Sequence, residues 1–319
     1  GELTCTVWAK DDVDESPQGA SVTTLRSPTP ADLDPYVQPS VYVTPQDLTG
    51  VESITVHYSG VLAESDMVTM RYGVDGKYNH EDINLEQLTE QLIYTRDVEM
   101  SWKDEEWQVE IALPADVTAI HMSFFDDEDG LDDRSGLEYH RSRSFPYIPP
   151  YLTWNDAVSP ADGVVVSYAT DIPCLGVVSF GTAPDNLSEL RAGEVTDTLH
   201  HIPLEGLEPE TTYYYQVHDS AEQASEVYHF KTTPESFSAY TLLVMADLQD
   251  NGTANERWPE VAATIVDNHP GVDLILMPGD MTADDYPGFW WRLFEGGKDL
   301  FPYVQMLPVL GNHETPTGK

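Results

Sequence analysis

Basic residues are scarce in this chain. Against 56 Asp and Glu stand 15 Lys and Arg in 319 residues, for a formal net charge of −41 at pH 7. Nucleic-acid backbones and anionic membranes are held non-specifically by Lys and Arg that displace counterions, so no nucleic-acid partner is expected. The same carboxylates keep a protein soluble in salt, which suits an extracellular or saline setting. Long apolar runs are also missing: nothing approaches the roughly 20 residues of a membrane span, and no membrane insertion is expected. Cysteine is nearly absent, with only Cys5 and Cys174. Two thiols make no disulfide scaffold, and one mobile and one buried thiol is the preferred reading over a Cys5–Cys174 pair. No basic region followed by an apolar stretch opens the chain, yet it starts at Gly1, as a processed protein would. A secreted, periplasmic or cell-surface location is therefore expected.

What is present changes period twice along the chain. Residues 11–38 are rich in Asp, Pro, Ser and Thr and read as an extended arm. From Val51 short alternating runs begin: Ile54 to Tyr58, Met67 to Tyr72, Trp107 to Leu113 and Ile120 to Phe125. Period-two runs broken by Gly, Pro and Asp indicate an all-β sandwich. The proline-rich string from Pro146 to Pro150 reads as a stiff linker. A second β unit follows, with strands expected at Tyr151 to Trp154, Gly163 to Tyr168, Gly176 to Phe180, Thr211 to Val217 and Val227 to Lys231.

From Tyr240 the runs become continuously apolar. Tyr240 to Ala246 and Val272 to Met277 read as strands covered on both faces. Between them Glu256 to Asn268 reads as an amphipathic helix with Val261, Ala262, Ile265 and Val266 on its apolar side. Strand, helix, strand implies a right-handed parallel crossover, whose ligands bind beyond the strands' carboxyl ends.

Three short sequences stand at or after such ends: Asp247-Leu-Gln249, Gly279-Asp280 and Gly311-Asn-His-Glu314. In this order they resemble the opening blocks of the calcineurin-like metallophosphoesterase superfamily, Asp-x-His, Gly-Asp and Gly-Asn-His-Asp/Glu. Upstream, His201-Ile-Pro-Leu-Glu-Gly-Leu-Glu-Pro-Glu-Thr-Thr-Tyr-Tyr-Tyr215 is similar to the fibronectin-type domain that precedes the catalytic domain of purple acid phosphatases. The resemblance implies three units. These are 1–148, an arm and accessory β-sandwich; 149–235, a fibronectin type III-like domain; and 236–319, the first part of an α/β (αββα-type) metallophosphoesterase domain. It further implies phosphate-ester hydrolysis at two divalent metal ions (Mn, Zn or Fe). Asp247 and Gln249 would bind the first metal, Asp280 would bridge both, and Asn312 would bind the second. His313 would stabilise or protonate the leaving group, oriented by Glu314. Hard cations favour such oxygen donors, and two of them neutralise the charge that shields a phosphate ester from water.

This chain departs from the family pattern in places. Gln249 replaces the first-block histidine, and Ala283 stands where the iron-binding tyrosine of purple acid phosphatases is expected, with Tyr286 three residues on. A colourless centre is therefore expected. The later histidine and closing Gly-His-x-His are not reached by Lys319, so the site is expected to be incomplete in this stretch. His200, His201, His218 and His229 fall in the fibronectin-like segment, and His269 follows the helix.

Three readings stand beside this one. Asp247 and Asp280 could be ordinary caps after strands. The run Asp126 to Asp133 invites a calcium site, with a solvated acidic loop as its alternative. The segment from Ile120 to Tyr139 faintly resembles the last strands of starch-binding modules, with Leu131 in place of their stacking Trp. Trp102 and Trp107 would offer sugar-stacking faces unless they pack in the core. On those features the chain would be a non-catalytic extracellular binding or adhesion protein.

Overall fold

The computed structural model describes residues 40–314 apart from 46–47, 49, 75–95, 114, 116, 134–138, 144, 155–158, 220–222, 237–238, 249–256 and 283–286. The arm expected at residues 11–38 lies outside the described residues. Two sheets form the first unit. One orders β1 (Val41–Thr44), β2 (Ser53–Tyr58), β6 (Glu106–Ala112) and β5 (Ser101–Lys103). The other orders β4 (Arg96–Glu99), β3 (Thr69–Val74), β7 (Ala119–Phe125) and β8 (Leu131–Asp132), with β9 (Tyr139–Ser142) also on β7. The alternation in the sequence decides the faces. Ile54, Val56 and Tyr58 turn inward to meet Met70, Ile120, Met122 and Phe124, while Ser53 and Thr55 turn out.

The acidic turn of this unit spends two of its carboxylates internally. Asp126 accepts the amides of Glu128 at 3.0 Å and Gly130 at 2.7 Å, and the Ser65 hydroxyl at 2.8 Å. The Ser65 bond leads the causes that hold its carboxyl below the usual range. Asp132 is buried and accepts the hydroxyls of Tyr58 at 2.8 Å and Tyr139 at 3.0 Å. Its oxygens, each accepting a tyrosine hydroxyl, hold the sandwich together. Trp107 is buried and Trp102 is half exposed against its edge, so only one of the two packs in the core.

The remaining strands make one eight-stranded sheet: β14 (Tyr228–Lys231), β13 (Thr212–His218), β11 (Gly163–Gly181), β10 (Ile148–Thr153), β17 (Gln305–Pro308), β16 (Leu274–Met277) and β15 (Leu242–Val244), with β12 (Glu189–Glu205) on β11. Two expectations change here. The proline string is no free linker: β10 pairs antiparallel with β11 and parallel with β17, and its register shifts between Ile148 and Tyr151, where Pro149 and Pro150 sit. Proline cannot donate to a ladder and is accommodated at such an irregularity. The two strands expected at 163–168 and 176–180 are one strand of 19 residues, whose ladder slips between Ala169 and Cys174.

Strands β15, β16 and β17 are mutually parallel. Helix α1 (Trp258–Asn268) lies between the first two in sequence and α2 (Pro287–Gly296) between the last two. Their core holds Trp258, Ala262, Ile265, Ile275, Met277, Leu293, Phe301 and Met306. The apolar side of α1 is thus rotated from the expected one. Trp258 is buried and its indole donates to the Leu293 carbonyl at 2.8 Å, whereas Val261 and Val266 are exposed. Leu242 and Val244 of β15 are also exposed, so cover on both faces does not hold for this strand among the described residues.

Tyr58 is fully buried, and its hydroxyl both donates to Asp132 and accepts the Leu62 amide at 3.0 Å. Tyr58→Phe strands a buried amide and a carboxylate oxygen together, at a cost of about 2–3 kcal/mol. A lowered urea midpoint with an unchanged slope is the expected result.

Candidate metal centre

The three candidate loops leave their strands with the same spacing. Strands β15, β16 and β17 end at Val244, Met277 and Pro308, and Asp247, Asp280 and Gly311 each stand three residues further on. Parallel pairing brings all three ends to one edge of the sheet. The loops are joined by backbone: the Asp247 amide reaches the Gly279 carbonyl at 3.4 Å, and the Leu248 amide donates to the Asp280 carbonyl at 3.0 Å. Asp247 and Asp280 both hold left-handed backbone, with φ of 54° and 52°, and Gly279 has φ of 110°. That region costs most residues roughly 1–2 kcal/mol, and Asp less than most. Two aspartates in it on one sheet edge suggest a conformation kept for function.

Glu314 ties the second loop to the third. Its Oε2 accepts the amides of Asp280 at 3.0 Å and Gly311 at 2.7 Å, and its Oε1 accepts the Thr282 amide at 2.8 Å and hydroxyl at 3.3 Å. The side chain is only 5% exposed. Burial opposes its ionisation, and the amides of Thr282, Gly311, Asp280 and Met281 outweigh burial, holding the carboxyl below its usual range. The role expected for Glu314, orienting the His313 imidazole, is replaced by this one: both oxygens are occupied by the loops. A motif shows that an acid stands there and not that backbone amides converge on it.

The glycines follow from the same closeness. A Cβ on Gly279 would lie 2.8 Å from the Gly311 Cα, and one on Gly311 would collide with the Asp280 backbone and carboxylate. The Asp280 Oδ1 also accepts the His313 amide at 3.2 Å.

Asp280 is half-buried, and Asp247, Asn312 and His313 are exposed at this edge. Gln249, Ala283 and Tyr286 lie outside the described residues. The geometry thus gathers Asp280 with the Gly311–Glu314 turn and sets the Asp247 loop beside it. Among the described residues no three His, Cys, Asp or Glu side chains lie close enough to hold a metal ion. The donors present are two carboxylates and the Asn312 amide, hard oxygen types that suit a divalent cation. Three histidines of the second β unit pair with hydroxyls instead, His201 with Ser167 at 2.7 Å, His218 with Ser179 at 2.8 Å and His200 with Thr170 at 3.0 Å, and the His229 ring lies against Tyr214 and Tyr303.

Residues 149–232 match the family model described as the purple acid phosphatase N-terminal domain. Purple acid phosphatase 18 of Arabidopsis thaliana is 30% identical over 149 residues, covering 43% of this chain and 31% of that protein. Purple acid phosphatase 15 of the same plant is 29% identical over 182 residues, covering 43% and 33%. A solved purple acid phosphatase, PPD1 from yellow lupin (Lupinus luteus) seeds, aligns with a TM-score of 0.47 at 14% identity, over 86% of this chain and 57% of that one. The chain spans about a third of the length of the curated relatives it matches. In sequence the chain is similar to purple acid phosphatases over that stretch.

Glu314→Gln keeps the shape but sets an amide donor against amide donors, and is expected to destabilise the chain by about 2–3 kcal/mol. A carboxyl held below its usual range gives stability that is present above the unfolded glutamate pKa, about 4.3, and is lost as pH falls through the lower folded value. Urea midpoints between pH 3 and 7 check this: the variant loses stability at neutral pH and its acid limb is shallower. Gly311→Ala is expected to cost about 1–3 kcal/mol by overpacking, with a lowered thermal midpoint.

Proposed function

We propose that this chain carries the opening blocks of a binuclear metallophosphoesterase that hydrolyses phosphate esters outside the cytoplasm. The observation that carries the proposal is the Glu314 tie, which fixes Asp280 and the Asn312-His313 turn beside each other at the carboxyl edge of three parallel strands. Strands β15–β17 with α1 and α2 would be the first layers of the αββα catalytic fold. Asp247 and Gln249 would hold one divalent ion, Asp280 would bridge, and Asn312 would hold the other through its amide oxygen. Mn, Zn or Fe suits that donor set. Bound there, such ions neutralise phosphoryl oxygens and lower the pKa of the attacking water.

The chain's own residues have defined tasks in this scheme. Glu314 sets the distance between the Asp280 loop and the third loop. The Asp280 Oδ1, by accepting the His313 amide, fixes the backbone from which the imidazole reaches the leaving-group oxygen to stabilise or protonate it. Left-handed backbone at Asp247 and Asp280 orients the two carboxylates at a cost in stability met elsewhere in the fold.

Metal content after incubation with Mn²⁺, Zn²⁺ or Fe²⁺ and gel filtration tests this, together with hydrolysis of p-nitrophenyl phosphate and bis(p-nitrophenyl) phosphate. The chain is expected to retain metal, and Asp280→Asn to weaken retention at least about 100-fold, more than loss of a group one shell out costs. Metal bound equally by wild type and Asp280→Asn would refute the assignment.

A further inference from the structure

The joint between the N-terminal sandwich and the second β unit is lined with titratable groups that neither core nor candidate metal centre uses. Strand β9 meets β11 where the β11 ladder slips. Arg141 spans this joint, its buried guanidinium donating at 2.6 Å to the carbonyls of His140, Asp171 and Val41. A ring nitrogen of buried His140 lies 2.9 Å from the Thr170 carbonyl, and its ring stacks on Tyr147 at 3.8 Å. The Tyr147 hydroxyl is 3.1 Å from a ring nitrogen of buried His121. Trp291 of α2 closes the side of the joint, donating to the Tyr147 carbonyl at 3.1 Å.

Asp171 stands among these groups. Its Oδ2 accepts the Ser142 amide at 2.7 Å, whereas its Oδ1 is sealed from solvent with no hydrogen-bond partner among the described residues. An anionic oxygen so placed has given up water for nothing equivalent. Burial pushes the carboxyl up to about 7, against the opposing pull of Arg141, the Ser142 amide and His121. Arg141 acts on it from β9 and His121 from β7, while His140 of β9 turns to the Thr170 carbonyl. On β11 and β12, Cys174 and His200 gather instead on the neighbouring Thr170 hydroxyl, at 3.6 and 3.0 Å, and Asp197 acts on His200.

We propose that this joint is a pH-sensitive latch: with Asp171 protonated the two β units stay docked through β9 and β11, and ionisation of Asp171 loosens them. The direction follows from linkage. A carboxyl raised in the docked state holds a proton that the opened state has lost, so docking is strongest below the free carboxyl's pKa of about 3.9 and weakens as pH rises through about 7. Between pH 5 and 8 the opening constant should rise about a hundredfold, and level off above that.

Hydrogen exchange of the full chain, read by mass spectrometry and corrected for intrinsic exchange, tests this on peptides covering Tyr139 to Ile148 and Ser167 to Leu175. Wild type should lose protection there as pH rises, while β13 and β14 keep theirs; Asp171→Asn, neutral throughout, should show no pH dependence. His121→Phe, which leaves Asp171 in place and removes a group that favours its ionisation, should move the wild-type midpoint upward. Equal pH profiles in wild type and Asp171→Asn would overturn the latch. So would an unmoved midpoint in His121→Phe, or loss of protection that spreads in step through β13 and β14.

Discussion

Strand β10 is the constraint on which the rest of the second and third units depends. It has six residues, pairs antiparallel with β11 on one side and parallel with β17 on the other, and takes a further bond from the Leu152 amide to the Phe301 carbonyl at 3.1 Å. A strand satisfied on both edges cannot shift without breaking two ladders, so the fibronectin-like strands and the parallel strands share one frame. Tyr215 adds a second fastening, its buried hydroxyl donating to the Pro302 carbonyl at 2.8 Å just before β17. The loop that carries His313 leaves the far end of that same β17.

This frame explains why a β unit without candidate chemistry of its own belongs beside the edge that bears the candidate loops. Three parallel strands of three or four residues are too short to fix a ligand set unaided. Continuation of their sheet through β10 into β11, β12 and β13 gives them the stiffness of a larger body. The Glu314 carboxylate then does locally what β10 does globally, holding the third loop to the second, whose backbone keeps Asp280 in a left-handed conformation. Stability stored in packing and amide bonds offsets strain at the positions where side chains must converge.

Much of this was legible in the sequence, and the failures have physical causes. Alternation located β2, β3, β6, β7, β13 and β14, because apolar and polar residues alternate along them and leave a period-two trace, although the polar His121 and Ser123 of β7 are themselves buried. The order Asp247, Asp280, Gly311 was readable too, through its resemblance to the opening metallophosphoesterase blocks. Pro149 and Pro150 misled because two prolines ordinarily end pairing, and only the partner ladders reveal the irregularity that admits them. The face of α1 was misread because Trp258 stands at the helix start, outside the valine-rich stripe, and its indole hydrogen bond to Leu293 is a tertiary fact. Glu314 was assigned to the wrong partner because its actual partners are backbone amides, which every residue possesses and no motif records.

The charge of the chain bears on both sites in opposite ways. A net −41 repels anionic esters at long range, yet Glu314 and Asp171 are governed by particular neighbours. Glu314 stays ionised because amides converge on it, and Asp171 resists ionisation because one oxygen has nothing to receive. Close neighbours therefore govern these acids more than the overall charge does.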